Sequence, residues 1–416
     1  MVTLVSASAT GQDALISSLA VAKAVQPAQN AVATLAPDQP HLGPVQLSLG
    51  LYSSVSYSDN INYSQTDPVA DAILRAGANV GFFWPATPQS DLSLSSRIGY
   101  AYYVKNPQLS YVEVAPNSAL AWNVFFDDGW LTFFDQFSYS QNVANEPALS
   151  GIVIFPVLDN TIGARVNWLP NQWQFQAGYS HDNYFSDSTA FEYVNRASEY
   201  FFARSAWRFA ENTQAGLEAS ASLTKYQVSA QSGTESISVG PYAEWQVTQA
   251  IHATLRGGPT LYFFDVSGGS SPGSSLNSYY VGLQVSHQLT DFLSHQIGVQ
   301  RNVSLGVNAG SSYLEQLTAN YSASLALTPR IALSANFSYV QGSQTFQNLV
   351  LLFPGFGFLL NQTENFDQYA VGPSVAWQFR EKFAASLSYN YYLRESNLAG
   401  RGYKQNSVTL SVSYAF

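Results

Sequence analysis

Few residues of this chain could carry out catalysis. Serine–histidine neighbours occur at Ser180-His181, Ser286-His287 and Ser294-His295. A serine nucleophile needs a base within hydrogen-bonding reach and a third group that orients the base, whereas adjacent residues of a strand point to opposite faces. The chain has no cysteine, which excludes a thiol nucleophile and a Cys-ligated metal site. The sequence therefore predicts neither an enzyme nor a dependence on a cofactor.

Two kinds of residue pair could bind a ligand. Asp59-Asn60 and Asp182-Asn183 offer the oxygen atoms that Ca²⁺ prefers, but such pairs are also common in turns, and we expect turns. His287 and His295 fall opposite each other around Asp291, which would allow a metal-binding or pH-sensitive pair. Two histidines at a membrane interface are the simpler interpretation. We predict no metal site, and the net charge of −10 argues against a nucleic-acid partner.

Alternation identifies the elements that would position these residues. In residues 407–416 the apolar side chains Val408, Leu410 and Val412 share one face, and small polar residues share the other. Period-2 alternation is typical of a strand with one apolar and one wetted face, and it recurs along nearly the whole chain. Only 11% of residues are charged, against roughly 25% in soluble domains. No stretch reaches the ~18 apolar residues of a helical span, so the pattern indicates a transmembrane β-barrel.

From Val45 onward the alternation predicts about eighteen strands of roughly 11–16 residues. Tight turns are expected at 127–129, 170–172, 210–212, 248–249, 328–330 and 380–382. Longer connections are expected near 60–71, 142–157, 181–194, 265–277, 302–312 and 341–365. In such barrels the short turns face the periplasm and the long loops face outside, and an even strand number leaves both barrel termini in the periplasm.

The aromatic residues predict two membrane interfaces. All eight tryptophans lie close to a predicted short turn, whereas tyrosines are common at the opposite strand ends, namely Tyr57, Tyr102, Tyr139, Tyr179, Tyr262, Tyr280, Tyr339, Tyr391 and Tyr392. Belts of Trp and Tyr mark the two surfaces of a bilayer. A soluble sandwich would place its tryptophans throughout the core.

Three residues conflict with this pattern. Pro241 and Pro373 fall inside strands, where proline removes a ladder donor, so we expect bulges there. Asp135 falls on the lipid-facing side of its strand, together with Phe133 and Phe137, where a carboxylate is costly. Either a bulge turns Asp135 inward or the register differs.

A barrel of this size can hold an aqueous channel. The charged residues predicted near mid-height on its inner face are Arg97, Arg165, Arg204, Glu218, Glu244 and Arg256. They form either a charged constriction that sets ion preference or ion pairs with a structural role. The distinction depends on which of the six are paired.

Hairpin register predicts two of these pairs. Around the turn at 210–212, Arg204 lies directly opposite Glu218, and around 248–249, Glu244 and Arg256 lie opposite or diagonal to each other. If these charges cancel, Arg97 and Arg165 remain. The sequence then predicts weak selectivity for anions despite the acidic overall composition.

Two of the predicted outer loops are unusually apolar. One is Ile152–Pro156, which contains Ile154, Phe155 and Pro156, and the other is Val350–Phe358, which contains Phe353, Pro354 and Phe356. An exposed apolar patch needs an explanation. The segments could extend strands above the membrane, fold inward as a gate, or present a surface to a partner.

Residues 1–44 are predicted to be an N-terminal periplasmic tail, and residues 45–416 the barrel domain. Ala7-Ser8-Ala9 has the pattern of a signal-peptidase site, so it is either the remnant of a signal peptide or a chance match. Asp13–Gln26 has helical composition and precedes Pro27. Alternatively, the tail could fold into the lumen as a plug.

Short motifs resemble one family of outer-membrane proteins. Tyr57-Ser58-Asp59-Asn60 ends the first predicted strand, and Tyr179-Ser180-His181-Asp182-Asn183 ends a later one. With the aromatic C-terminal strand, these motifs resemble the β-barrel porin-2 family over residues 45–416. The resemblance implies an outer-membrane barrel and, for some members, exopolysaccharide export. Tyr414-Ala415-Phe416 also looks like the signal read by the barrel-assembly machinery, although the usual upstream glycine is missing.

The sequence thus predicts an all-β, antiparallel up-and-down barrel in the outer membrane. The predicted function is that of a porin-like channel for passive diffusion of small hydrophilic solutes, with outer-membrane lipids and the barrel-assembly machinery as partners. One alternative is a conduit for an exported polysaccharide, whose sugar rings would stack on inward Tyr and Phe. The other is a structural or adhesion barrel without an open pore.

Overall fold

The computed structural model describes residues 40–141, 143, 146–228, 231–265, 275–353 and 356–416, with the backbone alone at 117, 347–353 and 356–360. Strands make up most of these residues. Two short 3₁₀ helices, Pro107–Leu109 and Thr189–Val194, lie in loops, and no helix in the described ranges is long and apolar enough to cross a bilayer. Most of the predicted tail, residues 1–39, lies outside the described residues.

Eighteen strands form one closed antiparallel barrel, as the alternation predicts. They are β2 (Val45–Ser58), β3 (Asp71–Thr87), β4 (Ser90–Tyr103), β5 (Tyr111–Phe126), β6 (Gly129–Ser140), β7 (Val157–Trp168), β8 (Trp173–Phe185), β9 (Arg196–Ala210), β10 (Thr213–Tyr226), β11 (Thr234–Gln246), β12 (Ile251–Phe264), β13 (Ser275–Thr290), β14 (Leu293–Leu305), β15 (Tyr313–Thr328), β16 (Ile331–Phe353), β17 (Phe356–Arg380), β18 (Phe383–Ser396) and β19 (Tyr403–Ala415). A two-residue strand, β1 (His41–Leu42), precedes them and pairs with β2.

Each barrel strand pairs with its neighbours in the chain, and β19 pairs with β2 to close the ring. At one end, here the turn end, the strands are joined by short turns at 88–89, 127–128, 169–172, 211–212, 247–250, 291–292, 329–330 and 381–382. All turns predicted from the sequence are at this end. The opposite end, here the loop end, carries the longer connections.

The segment predicted as a loop at 341–365 is instead mostly strand. β16 and β17 contain 23 and 25 residues. β16 pairs with β15 only as far as Gln344, and β17 pairs with β18 only from Phe366 onward, whereas β16 and β17 continue to pair with each other beyond these residues. The apolar stretch Val350–Phe358 therefore belongs to a hairpin that projects beyond its neighbours. Phe353 and Phe356 end its two strands, and Pro354 lies outside the described residues.

The outer face of the barrel is apolar at alternate positions. Large apolar side chains are exposed on every strand of the barrel, and Leu217 and Trp245, for example, are 60% and 54% exposed. A soluble protein rarely exposes so many large apolar side chains together. Seven tryptophans are exposed near the turn ends of their strands, as predicted: Trp84, Trp122, Trp168, Trp173, Trp207, Trp245 and Trp377. The tyrosine belt is less regular, because Tyr262 and Tyr280 are buried on the inner face.

The two strand prolines do not form the predicted bulges. The β11–β12 ladder lacks pairs between Ser238 and Tyr242 but keeps its register, while Pro241 still pairs with Leu217 on the other side. Pro373 behaves in the same way between β16 and β18. Since proline lacks only one N–H, a single ladder is interrupted and no extra residue is needed.

Asp135 remains on the outer face, as its place in the alternation indicates, so neither an inward bulge nor a different register resolves the conflict. It pairs across the sheet with Leu120 and Ile162, which are both exposed. Its carboxylate accepts a hydrogen bond from Asn160 Nδ2 at 2.6 Å. This bond compensates part of the desolvation of a carboxylate on the lipid-facing side.

Strand glycines make room for aromatic rings that lie against the inner wall. A Cβ at Gly178 would overlap the ring of Phe202 on β9, and one at Gly99 would overlap the Tyr52 side chain. A glycine inside a strand often marks a place where another group approaches the backbone closely. Here the approaching group is an inward aromatic side chain.

Gly178→Ala should destabilise the barrel by about 1–3 kcal/mol because the new methyl group overpacks against Phe202. Gly298→Ala is the matched control, since a Cβ at Gly298 meets no atom within 4 Å. The measurement is the free energy of unfolding of each refolded variant in urea. Equal stability of the two variants would contradict this packing.

Candidate functional site

One group of charges on the inner wall centres on Glu218. The structure places Arg204 opposite Glu218, at the register expected from the turn, with Arg204 Nη2 3.0 Å from Glu218 Oε2. Arg204 Nη1 also lies 3.5 Å from Glu244 Oε1, and Arg256 Nε lies 3.8 Å from Glu218 Oε1. Glu244 is diagonal to Arg256 across the ladder. Because the Glu218 side chain is only 1% exposed, its neighbours are two arginines rather than water.

Arg97 and Arg165 differ from this group. The Arg97 guanidinium lies 3.7 Å from the centroid of the Tyr52 ring, a cation–π contact. With its amide turned to suit its neighbours, Asn167 accepts a hydrogen bond from Arg165 Nε at 3.3 Å. Within the described ranges, no carboxylate lies within ion-pair distance of either arginine. Both therefore leave positive charge on the inner wall.

Sequence reasoning missed a further pair, Arg75 and Glu113. Arg75 Nε lies 3.4 Å from Glu113 Oε2, and the Tyr52 hydroxyl donates to Glu113 Oε1 at 3.3 Å. The alternation of β3 contained the signal, because Leu74 and Val80 are exposed on the other face of that strand. Below the loop end, the inner-wall arginines described so far thus lie on β3, β4, β7, β9 and β12.

The inner wall also carries pairs of hydroxyl groups. Ser334 and Ser374 hydrogen-bond to each other at 2.6 Å between β16 and β17. Ser56 and Thr409 do so at 2.9 Å between β2 and β19. Together with the arginines, these groups make the inner wall polar.

Loops fold inward at the loop end and build an apolar core there. This loop-end cluster contains the buried residues Tyr63, Val143, Ala148, Leu149, Phe155, Val157, Tyr184, Val194, Val307, Leu314, Val340, Phe366 and Tyr403. Its members come from four loops, β2–β3, β6–β7, β8–β9 and β14–β15, and from six strands. The loop-end cluster therefore narrows the lumen on that side.

The β6–β7 loop, residues 141–156, supplies several members of this cluster. Of the predicted gating residues, Phe155 is 2% exposed and contacts the Phe191 ring at 5.0 Å. Pro156 is buried and Ile154 is half-buried. The second predicted segment, with Phe353 and Phe356, is described by its backbone only.

Glu146 of the same loop carries an ionisable group into this packed region. Its carboxylate accepts a hydrogen bond from the Tyr184 hydroxyl at 3.2 Å. Burial raises the pKa of Glu146 to about 6, although the Arg196 guanidinium and the Tyr184 hydroxyl act in the opposite direction. The side chain of Asp159 also faces this carboxylate.

The serine–histidine and Asp-Asn motifs are engaged in local contacts. Ser180 is buried, whereas His181 Nδ1 is 2.9 Å from Glu199. His287 lies opposite His295, as expected, with 3.0 Å between Nδ1 and Nε2. Asp59 accepts two hydrogen bonds from Asn406. No three potential metal-binding side chains of the described residues lie together.

Comparison with known proteins finds several solved barrels of similar fold. No family model and no curated protein matches this chain. The outer membrane protein OpdK of Pseudomonas aeruginosa aligns over 89% of this chain and 99% of its own, at 10% identity and a TM-score of 0.48. OccK2 (OpdF) of the same organism, in complex with glucuronate, aligns over 91% and 100%, at 10% identity and 0.49. OccAB2 of Acinetobacter baumannii aligns over 89% and 98%, at 10% and 0.46.

Acid should tighten the packing of the β6–β7 loop. Because the pKa of Glu146 in the packed loop lies above its ordinary value, the packed form is favoured at low pH and loses this advantage as the pH rises through about 6. The change should be on the order of tenfold in the loop's packing equilibrium between pH 5 and 7.

Amide-exchange protection of residues 146–151, corrected for intrinsic rates, measures this effect. Glu146→Gln is the control, since its side chain stays neutral and the pH dependence should disappear. An unchanged pH dependence in that variant would show that another group is responsible.

Proposed function

We propose that the chain is an outer-membrane channel of the porin type for passive diffusion of small hydrophilic solutes. The observation that carries the proposal is a closed eighteen-stranded ring with an apolar outer face and an inner face of hydroxyls and arginines. A lumen lined in this way favours water and polar solutes. A Cβ at Gly298 would meet no atom within 4 Å. This open space supports the inference that side chains do not fill the lumen next to β14.

The arginines support a preference for anions. The charges of Arg204 and Arg256 are offset by Glu218 and Glu244, whereas Arg97 and Arg165 have no such partner among the described residues. Uncompensated positive charge on a channel wall raises the local concentration of anions. The hydroxyl groups of the inner wall would bind the polar groups of a solute without regard to charge.

Both alternative functions have less support. A polysaccharide conduit needs a wide exit, but the loop-end cluster narrows the lumen there. Its inward aromatic rings would have to stack on sugars, whereas Phe202 lies against the wall over Gly178. A purely structural barrel would not account for Arg97 and Arg165, which have no carboxylate partner among the described residues.

Three further assignments belong to the same proposal. The Tyr57–Asn60 motif relates the chain to the porin-2 family. Tyr414 and Phe416 are proposed as the signal for the barrel-assembly machinery, and their rings lie 4.9 Å apart beside the closing ladder. Residues 1–44 are proposed as a periplasmic tail, whose β1 lies at the turn end.

Arg97→Gln combined with Arg165→Gln should shift the reversal potential toward cation preference. The two substitutions remove the inner-wall charges without a carboxylate partner, so the anion-to-cation permeability ratio should fall about twofold or more. The measurement is single-channel recording in a planar bilayer under a salt gradient.

Arg330→Gln is the matched control, because Arg330 lies exposed in a turn and its loss should leave the ratio unchanged. Folded wild-type protein that gives no conductance steps would overturn the proposed channel. An unchanged ratio in the double variant would overturn the role of the two arginines.

A further inference from the structure

A second ionic group lies at the loop end of the lumen and is centred on Glu364. The carboxylate is completely buried, with Oε1 2.9 Å from both Arg394 Nη2 and Arg401 Nε. Ser396 Oγ donates to Oε1 at 2.7 Å, and Gln344 Nε2 donates to Oε2 at 2.8 Å. Two ion pairs and two hydrogen bonds therefore converge on one carboxylate, which offsets its desolvation.

The same donors hold the β6–β7 loop through its main chain. Arg394 Nε donates to the Pro147 carbonyl at 2.9 Å. The Ala148 carbonyl accepts from Arg401 Nη2 at 2.8 Å, from Asn308 Nδ2 at 3.1 Å and from Gln344 Nε2 at 3.4 Å. These bonds join residues up to 253 positions apart in the chain. The charged donors make them stronger than ordinary amide bonds.

The position of these contacts in the ring shows that the loop crosses the lumen. The loop joins β6 to β7, whereas Gln344 lies on β16, nine strands from β7 in either direction around an eighteen-stranded ring. Arg394 lies on β18 and Glu364 on β17. Residues 147–149 are thus held against the wall opposite the strands from which the loop emerges.

We propose that Glu364, Arg394 and Arg401 form a latch that holds the β6–β7 loop across the channel, so that release of the latch widens the solute path. The inference rests on the proposed function and adds residues that control it. Glu364 is a positioning residue, because its carboxylate contacts the donors and they contact the loop. The wall side chains of the latch hydrogen-bond to main-chain carbonyl groups of the loop. The residues that determine the latch are therefore those of the wall, not the side chains of the loop.

The burial around the latched residues explains why one carboxylate can control the loop. Ala148 and Leu149 are each 1% exposed, and Arg394 is also 1% exposed. Without Glu364, the buried guanidinium of Arg394 and the partly exposed guanidinium of Arg401 would remain close together without a counter-charge, which is unfavourable. The two guanidinium groups should move apart toward water and so lose their hydrogen bonds to the carbonyl groups of Pro147 and Ala148.

Glu364→Gln tests the latch by two independent measurements. The first is labelling of an introduced Ala148→Cys by a membrane-impermeant maleimide, which is specific because the chain has no cysteine. Labelling should be at least about tenfold faster when Glu364→Gln is combined with Ala148→Cys, since the loop leaves the wall. The second is single-channel conductance, which should rise about twofold or more.

Glu315→Gln is the matched control. It removes a carboxylate 2.7 Å from Arg301, but away from the latch, and should change neither measurement. Thermal unfolding of both variants distinguishes release of the loop from loss of the fold, because a released loop leaves the barrel transition in place.

The outcomes separate the latch from the channel. Unchanged labelling and unchanged conductance in folded Glu364→Gln protein would overturn the latch. Faster labelling without conductance in any variant would support a latched loop and overturn the proposed channel. Faster labelling with unchanged conductance would show that the loop does not limit the solute path, which would also overturn the inference.

Discussion

The structure depends above all on the pairing of β19 with β2. A bilayer core offers no water to a free backbone N–H or C=O group, so an open sheet would leave two costly edges. The closing ladder runs from the Ser407–Ser58 pair to the Ala415–Gly50 pair, and the Phe416 N–H donates to the Leu49 carbonyl at 2.9 Å. Once the ring is closed, alternation determines which side chains meet lipid and which line the lumen.

Closure also explains the crowding and the charges of the inner wall. Inward rings such as Phe202 fit where the neighbouring strand has a glycine. Inward arginines are held by carboxylates, by aromatic rings or, at Arg165, by the amide of Asn167. Glu218 is the carboxylate that holds arginines at mid-height, and Glu364 is the one that holds them at the loop end. One buried carboxylate holding two guanidinium groups occurs at both levels, but only the group at Glu364 has donors left over for a loop.

Much of the barrel could be predicted from the sequence because its contacts are local. Tight turns determine the register of adjacent strands, which is why the Arg204–Glu218 pair was predictable. The loop-end cluster and the contacts of the β6–β7 loop were not, since they join residues far apart in the chain. Periodicity contains no information about which loop folds inward. The alternation placed Asp135 on the correct, lipid-facing side. The desolvation of its carboxylate argued against that side, and the hydrogen bond from Asn160 that offsets it comes from a different strand.

The most direct test of the account is whether water-soluble reagents reach the lumen along its inner wall. Gly298 and Ile297 are adjacent on β14, and the first faces open space inside the ring while the second is exposed on the outer face. In single-channel recordings, a charged methanethiosulfonate reagent should reduce the conductance of Gly298→Cys and leave Ile297→Cys unchanged. Equal responses of both variants, or no response of Gly298→Cys, would contradict a continuous aqueous path.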